Sequence, residues 1–206
     1  MLRIETVRPE LLAGLQQLMA LEELKNFYLV GGTGLSLIYG HRNSEDIDLF
    51  THESFDSDLL FKLIDAKLPN ADFKRMSSIF LFIYLGNVKV DFVNNLTPLQ
   101  YPVKMIDGIR IADEKDIASL KLKAIFQRGS KKDFVDLFIL LQHFSVEELL
   151  NFFSTKFPKI DIGQLLISMQ YFEDAEATQL PELYIKSNWE NIKTFIAQKI
   201  IAYLKN

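Results

Sequence analysis

Leu11, Leu12, Leu15, Leu18 and Met19 recur at helical spacing and predict an amphipathic helix opening at Pro9, a favoured first-turn residue. An apolar run, Phe27 to Val30, ends in Gly31-Gly32 and reads as a short strand. A second helix is expected after Gly32, through Leu35, Leu37 and Ile38, with Gly40 as its stop. Residues 46–51 read as a strand, and 58–68 as a helix closed by Pro69. The continuous apolar run IFLFIYL, 79–85, predicts a central strand buried on both faces. Gly86-Asn87 signals a two-residue turn. VKVDFV then alternates, with Val88, Val90 and Phe92 on one face and Lys89 and Asp91 on the other. A further hairpin is expected at Asp107-Gly108.

From Asp113 the pattern turns helical. Helices are predicted over 113–128, 132–144, 146–157, 162–172 and 188–205, with Ser145 capping the third and 174–181 left as a loop. No internal repeat or low-complexity segment occurs. The fold class is therefore α+β. An α/β domain is expected over 1–112 and a helical domain over 113–206.

The 206 residues suit one large domain or two small ones, and a nearly half hydrophobic composition with 17 Phe supplies a core. Apolar runs stop well short of the roughly 20 residues that span a bilayer, so no membrane is expected. MLRIETVRPE lacks the apolar core of a signal peptide, which points to the cytoplasm. Without cysteine there is no disulfide framework, thiolate zinc site or cysteine nucleophile. A net charge of −4 argues against a surface that is wholly a nucleic-acid cradle, but a local basic cluster such as Lys121, Lys123, Arg128, Lys131 and Lys132 is enough to hold phosphates.

The chemistry concentrates in FYLVGGTGLSLIYGHRNSEDIDLF. In a strand, Asp46 and Asp48 point the same way. Two neighbouring carboxylates repel unless a cation lies between them, and hard oxygen ligands suit Mg²⁺. Glycines at a helix start let backbone N–H groups approach a phosphate. A lone GG is usually a turn, and a lone Asp-x-Asp a solvated edge. The order strand, GG, helix, Asp-x-Asp strand is far more specific than either. Asp91 is a third carboxylate on a strand hairpin-paired to its neighbour, and its alternative role is surface partner of Lys89.

The string GGTGLSLIYGHRNSEDIDLF resembles the first motif of AbiEii/AbiGii toxin-type nucleotidyltransferases, a branch of the polymerase-beta-like nucleotidyltransferase superfamily. DIASLKLKAIFQRGSKKDFVDLFILL resembles the second signature, and the likeness covers about the first two-thirds of the chain. It implies a mixed sheet over 1–112, a cleft that the domain over 113–206 completes, and a nucleotide-binding turn at Gly31, Gly32 and Thr33, where Thr33 stands in place of the usual Ser. It implies a metal pair at Asp46 and Asp48, joined by Asp91, holding two Mg²⁺ ions. It also assigns nucleotide binding and catalysis to Lys121, Asp133 and Asp136. The implied activity is transfer of a nucleotide from an NTP to an acceptor hydroxyl, such as a tRNA 3′ end. The implied setting is a toxin of a toxin–antitoxin or abortive-infection system, with an antitoxin protein as partner. A protein or small-molecule acceptor, and a non-catalytic nucleotide-binding or interaction module, are the alternatives. The complete set Asp46, Asp48 and Asp91 disfavours the last.

Arg42 and Ser44 precede the metal strand. Arg42 fits a triphosphate or a loop-ordering carboxylate equally well, and Ser44 suits a local backbone hydrogen bond or the nucleotide site. His41 reads as a loop or packing residue. Lys121 and Arg128 share a helix face that would present positive charge to the triphosphate, whereas Lys123 reads as solvated. Asp133 would otherwise serve as a helix cap and salt-bridge partner of Arg128 or Lys132, and Asp136 as a partly buried carboxylate in need of a partner.

Overall fold

A computed structural model describes residues 1–68 and 70–205; Pro69, expected to close a helix, lies outside the described residues. The chain forms two compact units: Met1–Ile38 with Ser44–Asp113, and Tyr39–Asn43 with Glu114–Asn206. Among the described residues, no helix is long and apolar enough to cross a membrane.

The first unit is built on one mixed sheet. Helix α1, Pro9–Ala20, starts at its proline and buries Leu11, Leu15, Leu18 and Met19. Strand β1, Tyr28–Leu29, runs into α2, Gly31–Tyr39, which is followed by β2, Asp46–Thr51. Helix α3, Ser57–Lys67, is capped by Asp56, whose carboxylate accepts from the Asp58 and Leu59 N–H groups. Strands β3, Ala71–Ser77, β4, Phe80–Leu85, and β5, Val88–Asn94, form a meander, and β6, Lys104–Ile106, and β7, Ile109–Ile111, form a hairpin. The order across the sheet is β3-β4-β5-β2-β1-β7-β6. Strands β2 and β5 run parallel, with Asp46 opposite Lys89 and Asp48 opposite Asp91. The β4–β5 turn is the expected Gly86-Asn87, where Gly86 takes the positive φ of 59° that such turns favour.

The run 79–85 departs from its expectation of burial on both faces. Strand β4 lies second from the β3 edge. Leu81 and Ile83 are fully buried, but Phe80, Phe82 and Tyr84 stay half-buried on the opposite face. Within this unit α1 and α3 pack on the first face: a Cβ at Gly14 of α1 would stand 3.1 Å from Leu85, and the α3 ring Phe61 packs against Phe73 at 5.4 Å. An apolar run measures affinity for burial, and coverage depends on where the helices land.

The second unit is helical: α4, Glu114–Gln127, α5, Lys131–His143, α6, Val146–Lys156, α7, Ile162–Ser168, the single turn α8, Glu173–Glu176, and α9, Trp189–Leu204. Helix α7 ends four residues before the expected 172, and α8 starts at 173 and takes up the beginning of the expected loop. Helix α4 packs on α5, α6 and α7, and α9 on α5 and α6. Ser145 and Glu148 form a reciprocal capping box that starts α6.

Inside this bundle, Lys156 of α6 bonds Asp116 of α4 at 2.7 Å, both side chains fully buried. Removing one partner strands a charge in apolar surroundings. Lys156→Met is expected to cost about 3–5 kcal/mol in urea denaturation, and adding Asp116→Leu to recover most of it. A single variant as stable as the wild type would remove the pair from the account of the bundle.

Candidate active site

In the first unit the site is set by strand register. Asp46 and Asp48 alternate with buried Ile47 and Leu49, so they share the half-exposed face of β2. Parallel pairing puts Asp91 beside Asp48 and Lys89 beside Asp46 on that same face. Spacing predicts the shared face of Asp46 and Asp48, and the β2–β5 register adds Asp91 to it.

Asp48 also abuts the glycine turn. Val30 N–H donates to the Asp48 carbonyl at 2.9 Å, and Gly31 follows with φ of +70°. A Cβ on Gly31 would lie 2.0 Å from Asp48 Oδ2. Glycine is thus required twice, for its left-handed backbone and for the carboxylate against its Cα. Helix α2 begins there, so the N–H groups of Gly31, Gly32 and Thr33 have no acceptor within the helix. The buried Thr33 hydroxyl bonds Ser44 Oγ at 2.8 Å and donates to the Asp46 carbonyl. Ser44 N–H in turn donates to Thr6 at 3.0 Å. Thr33 and Ser44 therefore brace the turn and the start of β2 against one another.

Lys89 is the counter-ion of this face. Its ammonium bonds Asp91 Oδ2 at 2.7 Å, the pairing weighed above as the alternative role of Asp91. Burial pulls the Lys89 ammonium down, but the bond to Asp91 and the charges of Asp91, Asp46 and Asp48 outweigh it and raise its pKa. The other Asp91 oxygen, Oδ1, is buried without a hydrogen-bond partner. Among the described residues, no three His, Cys, Asp or Glu side chains are gathered closely enough to hold a metal ion. The donor chemistry still fits Mg²⁺: hard oxygens on one face, a buried oxygen wanting a partner, and repulsion that draws in a cation.

The second unit gathers a different set. Asp136 of α5 is fully buried and accepts from Arg42 Nε at 2.7 Å and Arg42 Nη2 at 2.9 Å, a two-pronged contact. His41 Nε2 bonds it at 2.7 Å, and the Lys121 ammonium of α4 lies 2.7 Å from Asp136 Oδ2. Lys121 also donates to Asp133 Oδ1 at 3.0 Å, while Asp133 Oδ2 accepts from Ser130 at the start of α5. Asp133 is therefore a helix cap and an ion-pair partner at once. The Lys121 ammonium serves two carboxylates, and Arg128 only approaches Asp133, at 3.9 Å. The basic cluster read along the chain is in part internally neutralised. Lys123, expected to be solvated, rests over the Phe157 ring at 4.7 Å.

Sequence reasoning passed over His41 as a site residue and gave Lys89 no role beyond pairing. Neither had a local signal, because their partners come from other strands and helices. Burial pushes the Asp136 carboxyl up, but Arg42, Lys121 and the hydrogen bonds from His41 and Arg42 hold it well below the ordinary 3.8. Asp133 is likewise pushed up by burial and brought below its ordinary value by Lys121 and Ser130. Burial lowers Lys121, yet Asp136 and Asp133 raise it above the ordinary 10.5.

The depressed aspartates contribute stability above pH 3.8 that is lost as pH falls through their folded values. The raised lysine contributes below pH 10.5, and its share is lost as pH rises through its folded value. Denaturant midpoints should therefore be limited by this cluster at both extremes. Asp136→Asn should cost about 3–5 kcal/mol at neutral pH and flatten the acid limb. An acid limb as steep as the wild type's would exclude Asp136 as its source.

A family model described as the nucleotidyl transferase AbiEii toxin of a Type IV TA system matches residues 14–81. A protein of Aquifex aeolicus (strain VF5), Uncharacterized protein aq_aa25, is 39% identical over 200 residues, covering 93% of this chain and 95% of its own. Among solved structures, MenT4, a nucleotidyltransferase toxin from Mycobacterium tuberculosis H37Rv, superposes with a TM-score of 0.67 at 15% identity, over 97% of this chain and 86% of that one. JHP933 from Helicobacter pylori gives 0.57 at 21% identity, over 95% and 89%. At these identities the structural likeness speaks to the fold.

Proposed function

We propose that this chain, which belongs to the AbiEii nucleotidyltransferase toxin family, moves a nucleotide from an NTP to an acceptor hydroxyl at the Asp46, Asp48 and Asp91 face. The observation that carries the reading is the register of β2 and β5. It sets Asp91 beside Asp48 while the Gly31 backbone closes against the Asp48 carboxylate.

Asp46, Asp48 and Asp91 would hold Mg²⁺, which when bound supplies charge neutralisation for the attacking and leaving oxygens. The N–H groups opening α2 at Gly31, Gly32 and Thr33 would receive phosphate oxygens, where the helix dipole favours negative charge. The acceptor oxygen forms a bond to the α-phosphorus, the bond to the bridging oxygen of the β-phosphate breaks, and pyrophosphate leaves. Asp91 takes the hydroxyl proton, a role that its unpartnered Oδ1 supports. Arg42, Lys121, Asp133 and Asp136 act as one cluster. In it Asp136 anchors Arg42 and Asp133 anchors Lys121, so a role toward the triphosphate belongs to the set. The acceptor is a tRNA 3′ end or similar RNA, and the biological role is that of a toxin held in check by an antitoxin.

Incubation with each α-labelled NTP, Mg²⁺ and total cellular RNA should label the RNA pool. Asp48→Asn should reduce label to background without lowering the denaturation midpoint, since it relieves repulsion between neighbouring carboxylates. Label in protein or small molecules instead would move the acceptor class. No label with any NTP would end the reading.

A further inference from the structure

The face that carries the carboxylates does not stop at β5. Antiparallel pairing sets Phe82 of β4 opposite Asp91, Tyr84 opposite Lys89, and Phe80 opposite Val93. One strand further out, Arg75 of β3 stands opposite Phe82 and Asp72 opposite Tyr84. Phe80, Phe82 and Tyr84 are half-buried, while α1 and α3 pack against the other side. A strand with one solvated face normally turns polar side chains to it. Here that face is a row of aromatics beginning one strand from the proposed general base.

The rings are furnished with cations. Lys89 lies 5.2 Å from the Phe82 centroid, and Lys74 lies 5.6 Å from that of Tyr84. The Phe82 and Tyr84 rings are themselves 5.3 Å apart and tilted. Lys74 is paired with Asp72, whereas Arg75 is exposed. A sheet face with adjacent aromatics and few positive charges is the equipment by which proteins hold unstacked bases of single strands, each base lying on a ring and the backbone passing the cations.

We propose that the Phe80, Phe82 and Tyr84 face is a stacking platform for the unpaired 3′ end of an RNA acceptor, leading its terminal hydroxyl to Asp91. The proposal rests on the nucleotidyl-transfer reading and adds the acceptor's form: single-stranded at its end and held by bases more than by phosphates. A net charge of −4 argues against a wholly basic surface and leaves backbone contacts to local cations. One phosphate, at the exposed Arg75, is what the face offers, since Lys74 and Lys89 are paired with Asp72 and Asp91. Single-strand binding should then weaken with salt at a log–log slope of only about −0.7.

The test uses the full chain in EDTA, without NTP, and a fluorescein-labelled twelve-nucleotide RNA followed by anisotropy. Single-stranded RNA should bind better than the same sequence in a blunt duplex. Phe82→Leu, which keeps apolar volume and loses the π face, should weaken binding about 5- to 150-fold, and Phe82→Trp should retain it. Tyr84→Leu should behave like Phe82→Leu and stands in for it if circular dichroism shows that Phe82→Leu is unfolded. Binding unchanged in folded leucine variants overturns the platform. Equal affinity for duplex, preference for single-stranded DNA of the same sequence, or a salt slope steeper than about −3 also overturns it. The two readings fail separately. Label reaching a protein or small molecule with no RNA bound removes the platform and leaves transfer. Ring-dependent RNA binding with no label in any pool does the reverse.

Discussion

Strand register in this protein forces negative charges together, and the surroundings of β2 are built to tolerate that. Asp46 and Asp48 are two residues apart on one strand, and parallel pairing adds Asp91 directly beside Asp48. A one-residue slip of β2 would turn Asp46 and Asp48 into the apolar layer beside Val90 and Phe92 and expose Ile47 and Leu49, so the register cannot drift. Within that frame, Lys89 supplies a cation from the same strand as Asp91. Gly31 supplies room, since any side chain there would collide with Asp48. Thr33 and Ser44 tie the turn to the backbone of Asp46. A polar face that costs folding energy and is held this firmly is understood most directly as a face kept for a charged ligand.

The second unit settles a comparable problem by burial. Its two aspartates, one lysine and one arginine balance in formal charge, and each carboxylate receives several hydrogen bonds. Segment Tyr39–Asn43 belongs to this unit although the chain on both sides of it belongs to the first. The reason is visible in the bonds: Arg42 forks onto Asp136, His41 bonds the same carboxylate, and Arg42 bridges to Leu183. Taking away Lys121 would leave two buried carboxylates short of a cation. Its loss is therefore a matter of stability as well as of chemistry, contrary to the picture of a lysine reaching from an open helix face.

Much of this was readable along the chain, and the boundary is physical. The glycine turn, the alternation in β2 and β5 and the Gly86-Asn87 hairpin depend on residues within a few positions, which spacing reports well. Strand β3, ADFKRMS, was missed because it is nearly all exposed and has little apolar alternation. It is a strand because β4 pairs with it. Two partners of Asp136, Arg42 and His41, lie 94 and 95 residues away, and no local pattern encodes such a meeting. The need of Asp136 for a partner was legible from the apolar residues that follow it, though not which partners.

The misreading of 79–85 carries the most consequence. A strand rich in Phe, Ile, Leu and Tyr on both sides looks buried twice over, because apolar side chains usually find cover. Only half of this one does. Leu81 and Ile83 meet the helices, while Phe80, Phe82 and Tyr84 remain half-buried beside the carboxylates. Aliphatic residues on the covered side and rings on the open side are a division of labour by chemistry. Branched and aliphatic chains fill a layer, whereas a ring keeps a flat, polarisable surface that still gains from contact when a planar partner arrives. Had the open side carried Leu or Val, it would offer area without orientation. Had it carried Lys or Glu, it would offer charge without a stacking surface. Its rings adjoin the carboxylate face, and one unbroken register, β2 to β5 to β4, holds both.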